Sequence, residues 1–232
     1  MTRRALGVIP ARGGSQRIPR TNIVPVAGKP LLAWTVDAAL ASTVLDRVIV
    51  STDDEEIAAL ARSLGADVPA LREGLADHVA GADAVTAAVA RRLAAEGDFY
   101  DDIVQLLPTC PLRNADHVRS AVMQFRASGA RAQASCFRFG WDNPWWALEL
   151  DGSGGGRFVF PQATEERSQD LPPLYGLTGA VWVAASDAWI ERDGFPLDAC
   201  AWFELPWRAA IDIDEPDDLE LAGALLQLRG SA

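Results

Sequence analysis

Short apolar runs alternate along the first 140 positions with longer segments whose apolar residues recur every three or four. Leu6-Gly7-Val8-Ile9 stops at Pro10 and predicts a buried strand. Residues 11–30 collect glycine, proline and arginine and predict a long loop. Beyond it the pattern predicts a helix over Leu31–Leu40, a strand over Arg47–Thr52, a helix over Asp54–Leu64 and a weak strand over Val68–Ala70. An amphipathic helix over Ala82–Ala95, a strand over Asp102–Leu107, a helix over Asp116–Ala127 and a strand over Ala132–Phe137 complete the series. Such alternation argues for an α/β fold with a mostly parallel sheet and helices on both faces. Sheets of this kind bind ligands beyond the carboxyl ends of their strands, so the loops after Ile9, Val50 and Leu107 belong to the functional edge.

Residues 138–175 break the alternation. Trp141, Trp145 and Trp146 precede Asp151-Gly152-Ser153-Gly154-Gly155-Gly156, which leads into Phe158-Val159-Phe160. This predicts a small β-rich flap, a hairpin joined by a flexible turn, and tryptophans at this density suit either an interface or packing on the core. Gly179–Val183 predicts a further strand and Asp217–Leu228 a closing helix. No internal repeat is visible, and residues 1–232 read as one domain with the flap inserted.

Composition narrows the classes. The apolar share is 49% and mean hydropathy is +0.04, a globular balance. No apolar run reaches the roughly 18–20 residues of a membrane span. Met1-Thr2-Arg3-Arg4-Ala5 leads straight into a strand without the apolar stretch of a signal peptide, so a cytoplasmic protein is expected. A net charge of −11 argues against a nucleic-acid polymer as partner. Cys110, Cys136 and Cys200 show no metal-ligand spacing and read as buried thiols. The charge is uneven: Arg3, Arg4, Arg12, Arg17, Arg20 and Lys29 precede the first acid, Asp37, while Asp212, Asp214, Glu215, Asp217, Asp218 and Glu220 crowd the other end. One site for anions and one for a cation follow from that asymmetry.

The anion site is read in Pro10-Ala11-Arg12-Gly13-Gly14-Ser15-Gln16-Arg17-Ile18-Pro19. Adjacent glycines after a strand let backbone N–H groups approach phosphate oxygens, and flanking arginines add bidentate donors. The pattern is neither a Walker loop nor G-x-G-x-x-G, and a tight turn alone is an equally open reading. The cation site is read in Asp212-x-Asp214: alternate residues of a strand face one way, and hard cations take oxygen ligands. His78 and His117, the only histidines, are read as structural or exposed.

Four ordered segments resemble the acylneuraminate cytidylyltransferases, which include the CMP-sialate, CMP-pseudaminate and CMP-legionaminate synthetases, and more distantly CMP-3-deoxy-manno-octulosonate synthetase. They are Ile9–Pro19 with Asn22 and Ala27-Gly28-Lys29-Pro30-Leu31, Val50-Ser51-Thr52-Asp53 with Glu56-Ile57-Ala58, Leu107-Pro108-Thr109-Cys110-Pro111-Leu112-Arg113, and Ile211-Asp212-Ile213-Asp214-Glu215-Pro216 with Asp218-Leu219. The resemblance implies a Rossmann-like nucleotidyltransferase fold and transfer of CMP from CTP to an anionic acceptor, with release of pyrophosphate. It implies that Ala11, Arg12, Gly13, Gly14, Ser15, Asn22 and Arg72 bind the nucleotide, that Arg12 and Arg17 act on the phosphates, and that Asp212 and Asp214 hold Mg²⁺. Arg113, Arg167 and Thr178 fall to the acceptor, and the family's homodimer is expected to use the flap.

Departures weigh on the acceptor. Gln16 and Thr21 stand where relatives commonly carry lysine, Leu107 where they carry glutamine, and Gly176-Leu177-Thr178-Gly179-Ala180 where sialate synthetases read R-P-N-G-A. These changes, and the want of a convincing general base, leave two acceptors in view, a sugar acid and a small phosphonate. The alternatives are a nucleotide-sugar glycosyltransferase using Asp-x-Asp and a non-catalytic nucleotide sensor.

Overall fold

The computed structural model describes residues 3–15, 17–72, 81–140 and 142–230. In chain order these form β1 (Ala5–Pro10), a two-residue hairpin of β2 (Pro25–Val26) and β3 (Lys29–Pro30), α1 (Leu31–Ala41), β4 (Arg47–Ser51) and α2 (Glu55–Ser63). There follow α3 (Ala82–Ala95), β5 (Asp102–Gln105), α4 (Ala115–Ser128), β6 (Ala132–Arg138), β7 (Leu148–Leu150) and β8 (Gly156–Phe158). The chain ends in β9 (Tyr175–Ala185), α5 (Ser186–Arg192), β10 (Ala201–Leu205) and α6 (Pro216–Gly230).

Six strands make one sheet in the order β10-β6-β9-β5-β1-β4. All neighbours run parallel except at β9, which is antiparallel to both β5 and β6. The apolar runs of the central strands have no polar alternation because both faces are covered. Ile9, Val50, Val104 and Val183 pack under α1, α2 and α4, while Leu6, Val8, Ile103 and Ala184 pack under α3 and α5. Trp189 fills the second layer, its indole N–H donating to the Ile103 carbonyl at 3.2 Å. A third cluster, with Ile18, Val26, Leu31, Ile213 and Leu226, seats α6 against the loop after β1.

The α/β reading and nearly all its elements hold, with four corrections. Val68–Ala70 is not a strand; only Asp67 bridges to Ile49, through hydrogen bonds with Val48 and Val50. The strand expected at 179–183 begins at Tyr175, and its direction follows from entry out of the flap at the edge where the parallel strands end. β2 and β3 within the expected loop, and α5 and β10, are additional, each too short to leave a clear period. Asp212–Asp214 lie in irregular extended chain, not in a strand. Alternation survives there because Ile213 is buried and its N–H donates to the Thr109 carbonyl at 2.9 Å.

The flap contains the expected hairpin, β7 on β8. Its turn is organised by Asp151, whose Oδ1 accepts from Ser153 N at 2.8 Å and Gly155 N at 3.1 Å. Trp145 bonds the Pro172 carbonyl at 2.9 Å and meets Phe160 edge to face, whereas Trp146 is exposed; Trp141 lies outside the described residues. Cys110 and Cys136 are buried and Cys200 half-buried.

Candidate active site

The loop after β1 is shaped by its own polar side chains. Ala11 is buried, and its N–H donates to the Ser51 carbonyl at 2.9 Å, continuing the β1–β4 ladder one step. Gly13 N–H then donates to Asp53 Oδ1 at 2.8 Å. A Cβ on Gly13 would stand 2.7 Å from Asp54 Oδ2 and 2.9 Å from Asp54 Cβ, so only glycine fits this approach. Gly14 is exposed, and Ser15 N–H donates to the Gly13 carbonyl at 3.2 Å. Asn22, buried, donates from Nδ2 to the Arg12 carbonyl at 2.9 Å and closes the loop from below. Thr21 is also buried, with its hydroxyl 2.9 Å from the Ser15 hydroxyl and bonded to the Ile18 carbonyl. In this chain position 21 therefore braces the loop, a role a lysine could not fill from a buried position. Gln16 lies outside the described residues.

The arginines divide by what they meet. Arg12 is exposed and has no acidic partner among the described residues. Arg17 reaches across to the other end of the chain, pairing with Asp214 and approaching Glu215 at 3.6 Å. Arg20 pairs with Asp54 and Glu56. Arg72 is nearly buried beside β4, its N–H on the Thr52 carbonyl at 2.7 Å and its guanidinium 3.7 Å from Asp53. Burial pushes its pKa down, Asp53 opposes that, and Arg12 adds to the lowering; among the described residues its Nε has no partner. Beside it opens a cavity of about 410 Å³ lined by Ile49, Ser51, Leu71, Arg72 and Val89 among others.

Asp212 and Asp214 arrive at the same edge from beyond β10. Asp214 is exposed; Asp212 is half-buried. Burial pushes the Asp212 carboxyl up, and the charges of Asp214 and Asp218 push it further, while Thr109 and Cys110 pull it down by hydrogen bonding. Asp218 Oδ2 accepts from Asp214 N at 3.0 Å and Glu215 N at 2.8 Å, the back-bond of a helix-capping carboxylate that fixes where the pair emerges. Among the described residues no cluster of three or more His, Cys, Asp or Glu side chains is placed to hold a metal.

The residues expected at the acceptor part company. Arg113 and Thr178 are buried beneath the edge, 1% and 3% exposed, among backbone carbonyls and Cys110. Arg167 is exposed in the flap, with no acidic partner among the described residues. His117 caps α4 in a reciprocal box with Asn114, and its pKa is lowered by burial and by Arg229 and Arg113; His78 lies outside the described residues.

A family profile described as cytidylyltransferase matches residues 6–138, from β1 through β6. The chain belongs to the cytidylyltransferase family. It is therefore a CTP-dependent nucleotidyltransferase. A pseudaminic acid cytidylyltransferase of Campylobacter jejuni is 34% identical over 225 residues, covering 96% of each chain. A CMP-N,N'-diacetyllegionaminic acid synthase of Legionella pneumophila is 34% identical over 237 residues, covering 99% of each. Among solved structures, a CMP:2-keto-3-deoxy-manno-octonic acid synthetase complexed with CTP superposes with a TM-score of 0.73 at 18% identity, over 97% of this chain and 99% of that one. That likeness supports the fold, and the sequence relatives support the family.

Four further residues shape this candidate site without having been assigned a role from the sequence. Asp53 braces Gly13 and faces Arg72; Asp54 caps α2 by accepting from Glu56 N at 2.9 Å and Ile57 N at 3.0 Å; Thr109 and Cys110 lie against Asp212. An Asp directly before a Glu-Glu helix start is a readable cap signal. The contacts of Asp53, Thr109 and Cys110 join distant parts of the chain and leave no local signal.

Proposed function

We propose that the chain transfers CMP from CTP to a sugar acid of the kind named for its relatives, with Mg²⁺ as its metal and a homodimer as its working form. The observation that carries the reading is the meeting of the loop after β1 with the Asp212–Asp214 segment, 197 residues apart in sequence yet joined through Arg17 and Asp214. A triphosphate and its cation need such a junction of permanent positive charge, backbone donors and carboxylates. Arg12, free of acidic partners among the described residues, is available to the phosphates; the cavity beside Arg72 offers an apolar wall with Arg72 and Arg92 at its border for the base.

The residues present fit a hard divalent cation. Asp212 is a carboxylate whose negative charge is disfavoured by burial and by two neighbouring acids, an imbalance that a cation relieves. Asp212 and Asp214 would hold it, and when bound it supplies charge neutralisation at the reacting phosphate. The reaction then needs positioning above all: an acceptor hydroxyl oxygen attacks the α-phosphorus and its proton passes to solvent water, the bond to the oxygen bridging the α- and β-phosphorus breaks, and pyrophosphate leaves with its charge against Arg12.

The relatives reported are named for sugar acids, and nothing favours a phosphonate acceptor, a glycosyltransferase or a non-catalytic sensor. Exposed Leu148, Leu150 and Phe158 on the flap, and Tyr175, Leu177 and Trp202 on the uncovered end of the sheet, support a self-association surface. The test is pyrophosphate release from CTP and Mg²⁺ with pseudaminic, legionaminic and sialic acids, octulosonate and small phosphonates, and mass detection of the CMP conjugate. Release with a phosphonate and none with any sugar acid sinks the acceptor reading.

A further inference from the structure

Behind Asp212 lies a buried polar knot. The Arg113 Nη1 donates toward the carbonyls of Leu107, Cys110 and Ala180, each at 3.3 Å. Its Nε and Nη2 are buried without a hydrogen-bond partner among the described residues. The Thr178 hydroxyl donates to the Ala210 carbonyl at 3.1 Å, accepts from Ala180 N–H at 3.3 Å and lies 3.8 Å from Cys110 Sγ. Thr109 in turn accepts the Ile213 N–H at 2.9 Å.

These contacts hold the chain on either side of Ile211 and Asp212. Thr178 pins position 210 to β9, and Thr109 pins position 213 to the turn after β5; Asp212 stands between the pins. Arg113 ties that turn to β9, so one guanidinium fixes the spacing of both anchors. A buried guanidinium with two unmatched nitrogens is a poor choice for stability alone, where an apolar side chain would cost less. Its position beneath a carboxylate gives it another use, and its charge and that of Asp212 are close enough to favour each other.

We infer that Arg113 and Thr178 are positioning residues that set the place of the Asp212 carboxylate, and through it the cation, and are not contacts of the acceptor. The inference rests on the metal role proposed above for Asp212. Losing an outer-shell group of this kind typically costs about 10–100-fold in metal affinity or activity.

The test compares wild type with Thr178→Val, Thr178→Ser and Arg113→Lys. Mn²⁺ binding is read by electron paramagnetic resonance in saturating CTP, CTP binding is read by calorimetry in chelator, and KM is measured for the best sugar acid. Thr178→Val is expected to weaken Mn²⁺ by about 10-fold or more, the scale of a lost outer-shell contact. Thr178→Ser restores it, and metal-free CTP binding and acceptor KM stay as in wild type. Should Arg113→Lys not fold, Thr178→Val, which keeps the side-chain shape, carries the test. Unchanged Mn²⁺ binding with a raised acceptor KM overturns the inference and returns both residues to the acceptor. Wild type that binds no Mn²⁺ with CTP overturns the metal reading and this inference together, whereas wild-type binding matched by the variants overturns only the inference.

Discussion

Asp212 shows how one side chain can be costly to the fold at the place proposed for the cation. Its folded pKa is raised above the ordinary carboxylate value, first by burial and then by Asp214 and Asp218. The native state thus holds the proton more tightly than the unfolded chain, and this contribution to stability is present at low pH and lost as pH rises through the raised pKa. Asp212→Asn is accordingly expected to abolish turnover yet raise the thermal midpoint of the metal-free protein at pH 7. The gap should close as pH falls through the Asp212 pKa; a lower midpoint for the variant at pH 7 contradicts this account. Arg12 presents the opposite case, an exposed cation with nothing to stabilise in the free protein. Arg12→Ala should leave the melting curve in place and lower kcat by about 10²–10³-fold, the usual effect of removing one donor to a developing charge. Steady-state kinetics beside calorimetry separates the two effects.

At the scale of elements, α2 links the fold's stability to the shape of the phosphate loop. Asp54 caps its first turn, pairs with Arg20 and stands against the bare Cα of Gly13. Its carboxyl is held below the usual range, chiefly by the Ile57 N–H and then by Arg20. Asp54→Ala should therefore cost about 1 kcal/mol as a lost cap, seen as a drop of roughly 2–4 °C in midpoint for a domain of this size. It should also weaken CTP binding, because the loop loses a wall. An unchanged Kd for CTP by calorimetry would confine Asp54 to the helix. β9 makes the complementary point. Its antiparallel course brings Tyr175–Leu177 to the edge where the parallel strands end, and leaves Tyr175 and Leu177 exposed there.

For the molecule as a whole, the flap and that end of the sheet carry exposed large apolar side chains, among them Leu148, Leu150, Phe158, Tyr175, Leu177 and Trp202. A cavity of about 450 Å³ opens there among Cys136, Tyr175, Leu177, Trp202 and Glu204. A two-stranded hairpin has little stability alone and gains from apolar contact with another surface. Leu150→Glu, on the exposed hairpin, should shift sedimentation from dimer to monomer without lowering the melting temperature of the monomer fold; a wild type that sediments as monomer refutes the homodimer. Among the described residues no helix is long and apolar enough to cross a membrane. By itself the sequence determined the alternating elements, the glycine- and arginine-rich loop after β1 and the Asp-x-Asp pair, because periodicity, glycine and repeated charge are local signals. The capping of α2 was equally local and readable from Asp54-Glu55-Glu56. Only the tertiary structure decided that Arg113 and Thr178 lie beneath the site, that Thr21 braces the loop and that β9 runs against its neighbours. Each of those depends on burial and on contacts between residues far apart in the chain, which no window of sequence contains. The loop and the aspartates were legible as chemistry; their meeting through Arg17 and Asp214 exists only in the folded chain.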